Sequence, residues 1–83
     1  MTKKKWQARI TNRGVDTDDP VRLVLTVEFY EGETVHATRL IHVGLDAEPQ
    51  DVEQAIRNLA GTIQEGVEGA HRLGELIPDE VAP

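Results

Sequence analysis

The chain has 83 residues and a formal net charge of −6, and it contains no cysteine and no serine. A chain of this length forms one small domain, and its composition excludes disulfides, thiolate zinc sites and the two commonest side-chain nucleophiles. Leu, Ile, Val and Phe together number 22, which argues against disorder. No signal peptide and no membrane span is recognisable, so we expect a cytoplasmic or virion-incorporated protein that is not secreted.

The first residues are basic, and the rest of the chain is acidic. Residues 1–14 contain five lysines and arginines and no acid, whereas residues 15–83 contain all fifteen acids and four arginines. We expect residues 1–5 to be a basic N-terminal arm, with Lys3, Lys4 and Lys5 as candidate contact residues. The arm would touch either nucleic acid or the acidic body of a neighbouring copy.

Two strands are predicted next. Residues 6–12 alternate Trp6, Ala8 and Ile10 with polar side chains, which predicts a first strand. Residues 13–20 form a polar segment with Gly and Pro, which predicts a loop. Residues 21–29 give the strongest strand pattern, with apolar side chains at every second position: Val21, Leu23, Leu25, Val27 and Phe29.

Residues 34–43 predict a third strand, which forms a hairpin with the second. A three-residue loop, 30–32, puts the two apolar faces on the same side and places Gly32 where a left-handed backbone is needed. The predicted cross-strand pairs are Val27 with Val35, Leu25 with Ala37, and Val21 with Ile41.

The outward face of this hairpin is too apolar for an ordinary solvent-exposed face. It lacks the paired acid and base groups of an active site, and the outer strands of a three-stranded sheet are open to a neighbour. The alternative is an ordinary solvent-exposed face, since isolated Val and Leu side chains are normal on a sheet surface. We interpret the face as a protein–protein interface, with five candidate residues: Val24, Tyr30, His36, Leu40 and His42.

An amphipathic helix is predicted from Pro49 to residue 73, with fraying after Thr62 and a stop at Gly74. Pro49 suits the first turn. Gly66 projects toward the apolar stripe, which suggests close approach to the sheet. The stripe recurs at three- and four-residue spacing: Val52, Ile56, Leu59, Ile63, Val67 and Ala70.

These elements predict a two-layer α+β fold, in which a three-stranded antiparallel meander packs on one C-terminal amphipathic helix. The domain spans residues 6–74, between the arm at 1–5 and an acidic-apolar tail at 75–83. Leu76, Ile77 and Val81 in the tail have no place in a two-layer core. We therefore expect them to meet another subunit.

The three histidines do not predict a metal site within one chain. His36 and His42 lie six residues apart on one strand, which separates them by about 20 Å, and zinc needs three or four convergent ligands. A histidine cluster shared between copies stays open. With no convergent nucleophile, base or metal ligands, we expect no cofactor and no enzymatic activity.

Two other functions remain as alternatives. An acidic regulator would bind a host protein, in the extreme as a nucleic-acid mimic. A nucleic-acid binder would use the basic and aromatic stretch KKKWQAR for phosphate contact and stacking. The second is less favoured, because Trp6 is in phase with the core positions Ala8 and Ile10 and the acidic body repels a phosphate backbone.

The chain resembles the small accessory and structural proteins of tailed bacteriophages. The resemblance lies in the basic start MTKKKWQARI, the hairpin body VRLVLTVEFYEGETVHATRLIHV, the single helix and the tail. It implies a virion or assembly component. Together with the outward face, it makes a non-catalytic, oligomeric interaction protein the leading hypothesis, with other copies or other structural proteins as partners.

Overall fold

The computed structural model describes residues 5–83 as three strands followed by one helix. The strands are β1 (Gln7–Asp16), β2 (Arg22–Glu31) and β3 (Thr34–Gly44), and the helix is α1 (Pro49–Leu76). The strands form one antiparallel sheet in the order β1-β2-β3. The predicted α+β meander with one C-terminal helix is confirmed. The predicted contact residues Lys3 and Lys4 lie outside the described residues.

The core lies between the central strand and the helix. Leu25, Val27 and Phe29 of β2 are buried, because β2 is flanked by a strand on each side and covered by α1. Ala60 of α1 and Trp6 complete the buried set. The predicted core side of the second strand and the core position of Trp6 are therefore confirmed, except that Val21 precedes β2 and is 42% exposed.

Strand β1 extends four residues beyond the predicted end, through the segment 13–16 that we had expected to be a loop. The ladder with β2 shifts between Ile10 and Asn12, so Thr11 has no partner in the pairing. This bulge changes which residues face the helix. After the bulge, Arg13 pairs with Leu25 and Val15 pairs with Leu23. The helix side of β1 therefore changes from even-numbered to odd-numbered residues, so a single period-two pattern does not recognise the whole strand.

The hairpin register also differs from the prediction. The turn is Gly32-Glu33, closed by the pair Glu31–Thr34, and Gly32 has the expected positive φ of 59°. A second irregularity leaves His36 without a partner between the pairs Tyr30–Val35 and Phe29–Ala37. The predicted pairs are therefore wrong, and the observed pairs are Val27 with Arg39, Leu25 with Ile41, and Leu23 with Val43.

Helix α1 begins at Pro49 as predicted, but it continues past Thr62 and Gly74 to Leu76. The predicted fraying after Thr62 and the predicted stop at Gly74 are wrong. A β-carbon built on Gly66 would meet no atom within 4 Å, so close approach to the sheet does not explain this glycine. Ile77, which follows the helix, has extended backbone angles, and its N–H donates to the Gly74 carbonyl at 3.3 Å.

The helix is longer than the sheet that it covers. Its 28 residues span about 42 Å, whereas a ten-residue strand spans about 33 Å. The Trp6 N–H, at the hairpin end of the sheet, donates to Gln64 Oε1 at 3.0 Å. The part of α1 that follows passes this end, and Val67 is the last apolar side chain of α1 that packs against the core.

Candidate protein-interaction surfaces

Within residues 5–83, no element covers the sheet surface opposite α1, and we call this surface the open face. Cross-strand pairing places Val24 beside His42 and Thr26 beside Leu40. Leu40 is 65% exposed. The predicted candidates Val24, Leu40 and His42 are thus neighbours on one surface, although the prediction assumed a different pairing between β2 and β3.

The charged side chains of the open face pair with each other. Arg9 Nε lies 2.9 Å from Glu28 Oε1, and the Arg9 guanidinium carbon lies 4.3 Å from the centre of the Tyr30 ring. At the other end of the sheet, Arg22 Nη2 lies 3.5 Å from Asp16 Oδ2. The candidate Tyr30 therefore belongs to a polar cluster that borders the apolar middle.

His36 is not on the open face, contrary to the prediction. Its ring stacks on Trp6, with ring centres 4.1 Å apart and planes 4° apart. Trp6 belongs to the core under α1, so the irregularity at His36 has turned this side chain to the helix side. His36 and His42 consequently lie on opposite faces, and residues 5–83 hold no cluster of three potential metal ligands.

The C-terminal candidates are all exposed. Leu76 is 81% exposed, Ile77 56% and Val81 79%. Leu73, which the sequence analysis missed, is 60% exposed on the same stretch. Leu73 could have been recognised from the sequence, because the predicted helix is longer than the predicted strands and its last turn therefore lies beyond the sheet. We call residues 73–81 the C-terminal apolar strip.

The N-terminal candidate Lys5 is exposed and lies beside polar residues of α1. With Trp6 it borders a shallow cleft formed by polar residues of α1, among them Gln54, Arg57 and Glu65. This cleft is separate from the open face, because Trp6 lies on the helix side of the sheet. The structure therefore does not join Lys5 to the open-face candidates.

A groove runs between β3 and α1, and the sequence analysis did not predict it. The helix lies nearer to β1 than to β3. The side chains of β3 that face the helix are therefore incompletely covered. The groove has a volume of about 320 Å³. Most of its lining is apolar and includes Ile41, Val43, Ala55, Ile56 and Leu59.

Comparison with known proteins identifies no relative. No family model matches the chain, and neither a curated protein nor a solved structure matches it significantly. None of the helical sequence within residues 5–83 has the length and apolar character required to cross a membrane.

Proposed function

We propose that this protein is a non-catalytic assembly protein that works as an oligomer, as a structural component of a larger particle such as a virion. Its partners are other copies of itself or neighbouring structural proteins. The proposal follows from the surface of the single chain, and it gives a role to the apolar side chains that the core leaves outside.

The observation that carries the proposal is the amount of exposed surface. The chain exposes 6736 Å², whereas a compact 9.2 kDa monomer exposes about 4,900 Å². The excess of roughly 1,800 Å² over that value exceeds the roughly 800 Å² that each partner buries in a standard specific interface. The Cα radius of gyration of 16.7 Å agrees, because a compact chain of this length has about 12 Å.

The excess surface includes apolar regions suited to association. The open face offers the exposed Leu40 and the half-buried Val24 between two ion-paired clusters. The C-terminal apolar strip offers Leu73, Leu76 and Ile77. The outer edges of β1 and β3 pair with no further strand among residues 5–83. The open face and the C-terminal apolar strip are separate surfaces, so one copy can contact more than one neighbour.

The open face is less suited to nucleic acid. Its arginines Arg9 and Arg22 already lie against carboxylates of Glu28 and Asp16, so the positive charge that phosphate binding requires is neutralised within the chain. The acidic-regulator alternative differs from the proposal in a measurable way. It requires a monomer whose binding to a partner weakens with salt.

The experiment is a measurement of native mass by size-exclusion chromatography with light scattering. We expect an oligomer for the full chain. We expect a folded monomer for a variant that combines Val24→Asp, Leu40→Asp and deletion of residues 75–83. The control variant carries Gln54→Asp and Asn58→Asp on the solvent side of α1 and keeps the oligomer.

Each result has a distinct meaning. A full chain that stays monomeric over the whole concentration range contradicts the proposed function. An oligomer that survives the combined substitutions and deletion leaves the function intact but contradicts the choice of surfaces. Circular dichroism of every variant establishes that the helix and sheet are retained.

A further inference from the structure

The groove between β3 and α1 offers an apolar floor beside an open sheet edge. Ile41 and Val43 form its β3 side, and Ala55 and Leu59 form its helix side. Ile41, Val43 and Leu59 are only partly buried, although each packs against the core. An extended segment carrying one or two aliphatic side chains fits such a site.

The C-terminal segment has this chemistry. Residues 77–83 read IPDEVAP, and Ile77 already has an extended backbone, with φ −88° and ψ 126°. Ile77 and Val81 are exposed, and Asp79 and Glu80 lie between them. The segment thus carries an aliphatic side chain near each end and two acids in between.

We infer that the groove between β3 and α1 receives residues 77–83 of a second copy, and that two copies exchange these segments reciprocally. The inference rests on the proposed function, because it specifies how copies meet. The two-fold exchange brings the protruding ends of the two α1 helices together in antiparallel fashion and covers Leu73 and Leu76.

Chain length excludes docking of the segment into the groove of its own chain. Ala55 lies twenty-one residues before Leu76 on the helix, a distance of about 31 Å. Val81 lies five residues after Leu76 and reaches at most about 18 Å back, even when fully extended. The shortfall of about 13 Å is too long for a side-chain contact, so only another copy can place Val81 beside Ala55.

Charge complementarity sets the direction of entry. Arg39 is exposed and lies opposite Val27, which puts it on the helix side of β3, between the hairpin end and the groove. Its Nη1 donates to the Thr38 carbonyl at 2.9 Å, and it forms no ion pair within residues 5–83. A segment entering from the hairpin end places Asp79 and Glu80 at Arg39 and Val81 deeper in the groove.

The first test uses engineered cysteines, since the natural chain has none. Chains carrying only Ala55→Cys are mixed with chains carrying only Val81→Cys under mild oxidation. We expect a disulfide-linked heterodimer, which two singly substituted chains form only between copies. The control pairs Val81→Cys with Gln54→Cys, one residue away on the solvent side, and gives about tenfold less heterodimer.

Two results of this test overturn the inference. One is equal cross-linking of the Ala55 and Gln54 variants. The other is an intramolecular disulfide, formed at high dilution in a chain that carries both Ala55→Cys and Val81→Cys. That disulfide would place the segment in the groove of its own chain.

The second test reverses charges at exposed positions, where folding is not at risk. Arg39→Glu alone, and Asp79→Lys with Glu80→Lys, each raise the dissociation constant of the dimer about tenfold. All three substitutions together restore it to within about threefold of the natural value. If neither charge reversal changes the dissociation constant, the inference is overturned, even if the chain is an oligomer and the proposed function holds. A monomeric natural chain overturns both.

Discussion

The Trp6 indole and the His36 imidazole lie face to face, with ring centres 4.1 Å apart and planes 4° apart. The contact joins the residue before β1 to an irregular position of β3, across the hairpin end of the sheet. It covers the edge of the core where α1 leaves the sheet, and Trp6 also donates its backbone N–H to Gln64 of α1. The pair therefore connects both outer strands to the helix.

Replacing His36 with alanine should expose Trp6 and lower the free energy of unfolding by about 1 kcal/mol, because a stacked aromatic partner is lost. Trp6 is the only tryptophan, so its fluorescence should shift to longer wavelength. His42→Ala is the matched control. It lies on the open face and should leave the emission wavelength unchanged. An identical response to both substitutions would contradict the assigned stacking.

Replacing Gly61 with alanine should raise the free energy of unfolding by about 0.5–1 kcal/mol, because glycine is a poor helix former. An added β-carbon at Gly61 meets no atom within 4 Å. Gly32→Ala should instead destabilise the protein, because Gly32 has a φ of 59°. Urea unfolding followed by circular dichroism measures both. A destabilising Gly61→Ala would show that this part of α1 is not a solvent-exposed helix.

Replacing Phe29 with alanine should cost about 3–5 kcal/mol, because its side chain is fully buried and its removal leaves a cavity. A loss of that size is a large share of the stability of such a small domain. Leu40→Ala is the comparison. At concentrations where the chain is monomeric it should change the free energy of unfolding by less than about 0.5 kcal/mol, since Leu40 is mostly exposed. Thermal unfolding of the two variants tests which side of the sheet is the core.

Replacing Arg9 with alanine should cost less than about 1 kcal/mol, although Arg9 contacts both Glu28 and Tyr30. The ion pair is partly exposed, so added salt should reduce the difference between Arg9→Ala and the natural chain. Chemical unfolding at low and high salt measures this. A cost of several kcal/mol, independent of salt, would mean that the open face is buried in the folded species being measured.

The sequence was sufficient for the order and type of the elements, because these depend on local periodicity. Val27 and Phe29 alternate with polar residues, which identified the central strand and its core face. Pro49, followed by apolar residues at three- and four-residue spacing, identified the start of α1. Even the wrong hairpin register kept the correct core face of β2, because an offset of four residues leaves the period-two parity unchanged.

The C-terminal candidate residues were also recognisable from the sequence, because the tail follows the predicted helix stop and has no layer to pack on. Their exposure in the structure agrees with that reasoning. Leu73 was missed, since a helical pattern does not show where the sheet beneath it ends. The groove beside β3 was missed for a similar reason, because it depends on which strand the helix lies closest to.

Only the tertiary structure decided the pairing offset, the continuation of β1 and the side on which His36 lies. Each depends on an unpaired residue, Thr11 in β1 and His36 in β3, that resets the alternation of faces along its strand. No local pattern marks these positions. They arise where the strand ladders, the tight Gly32-Glu33 turn and the packing of Trp6 must be satisfied together.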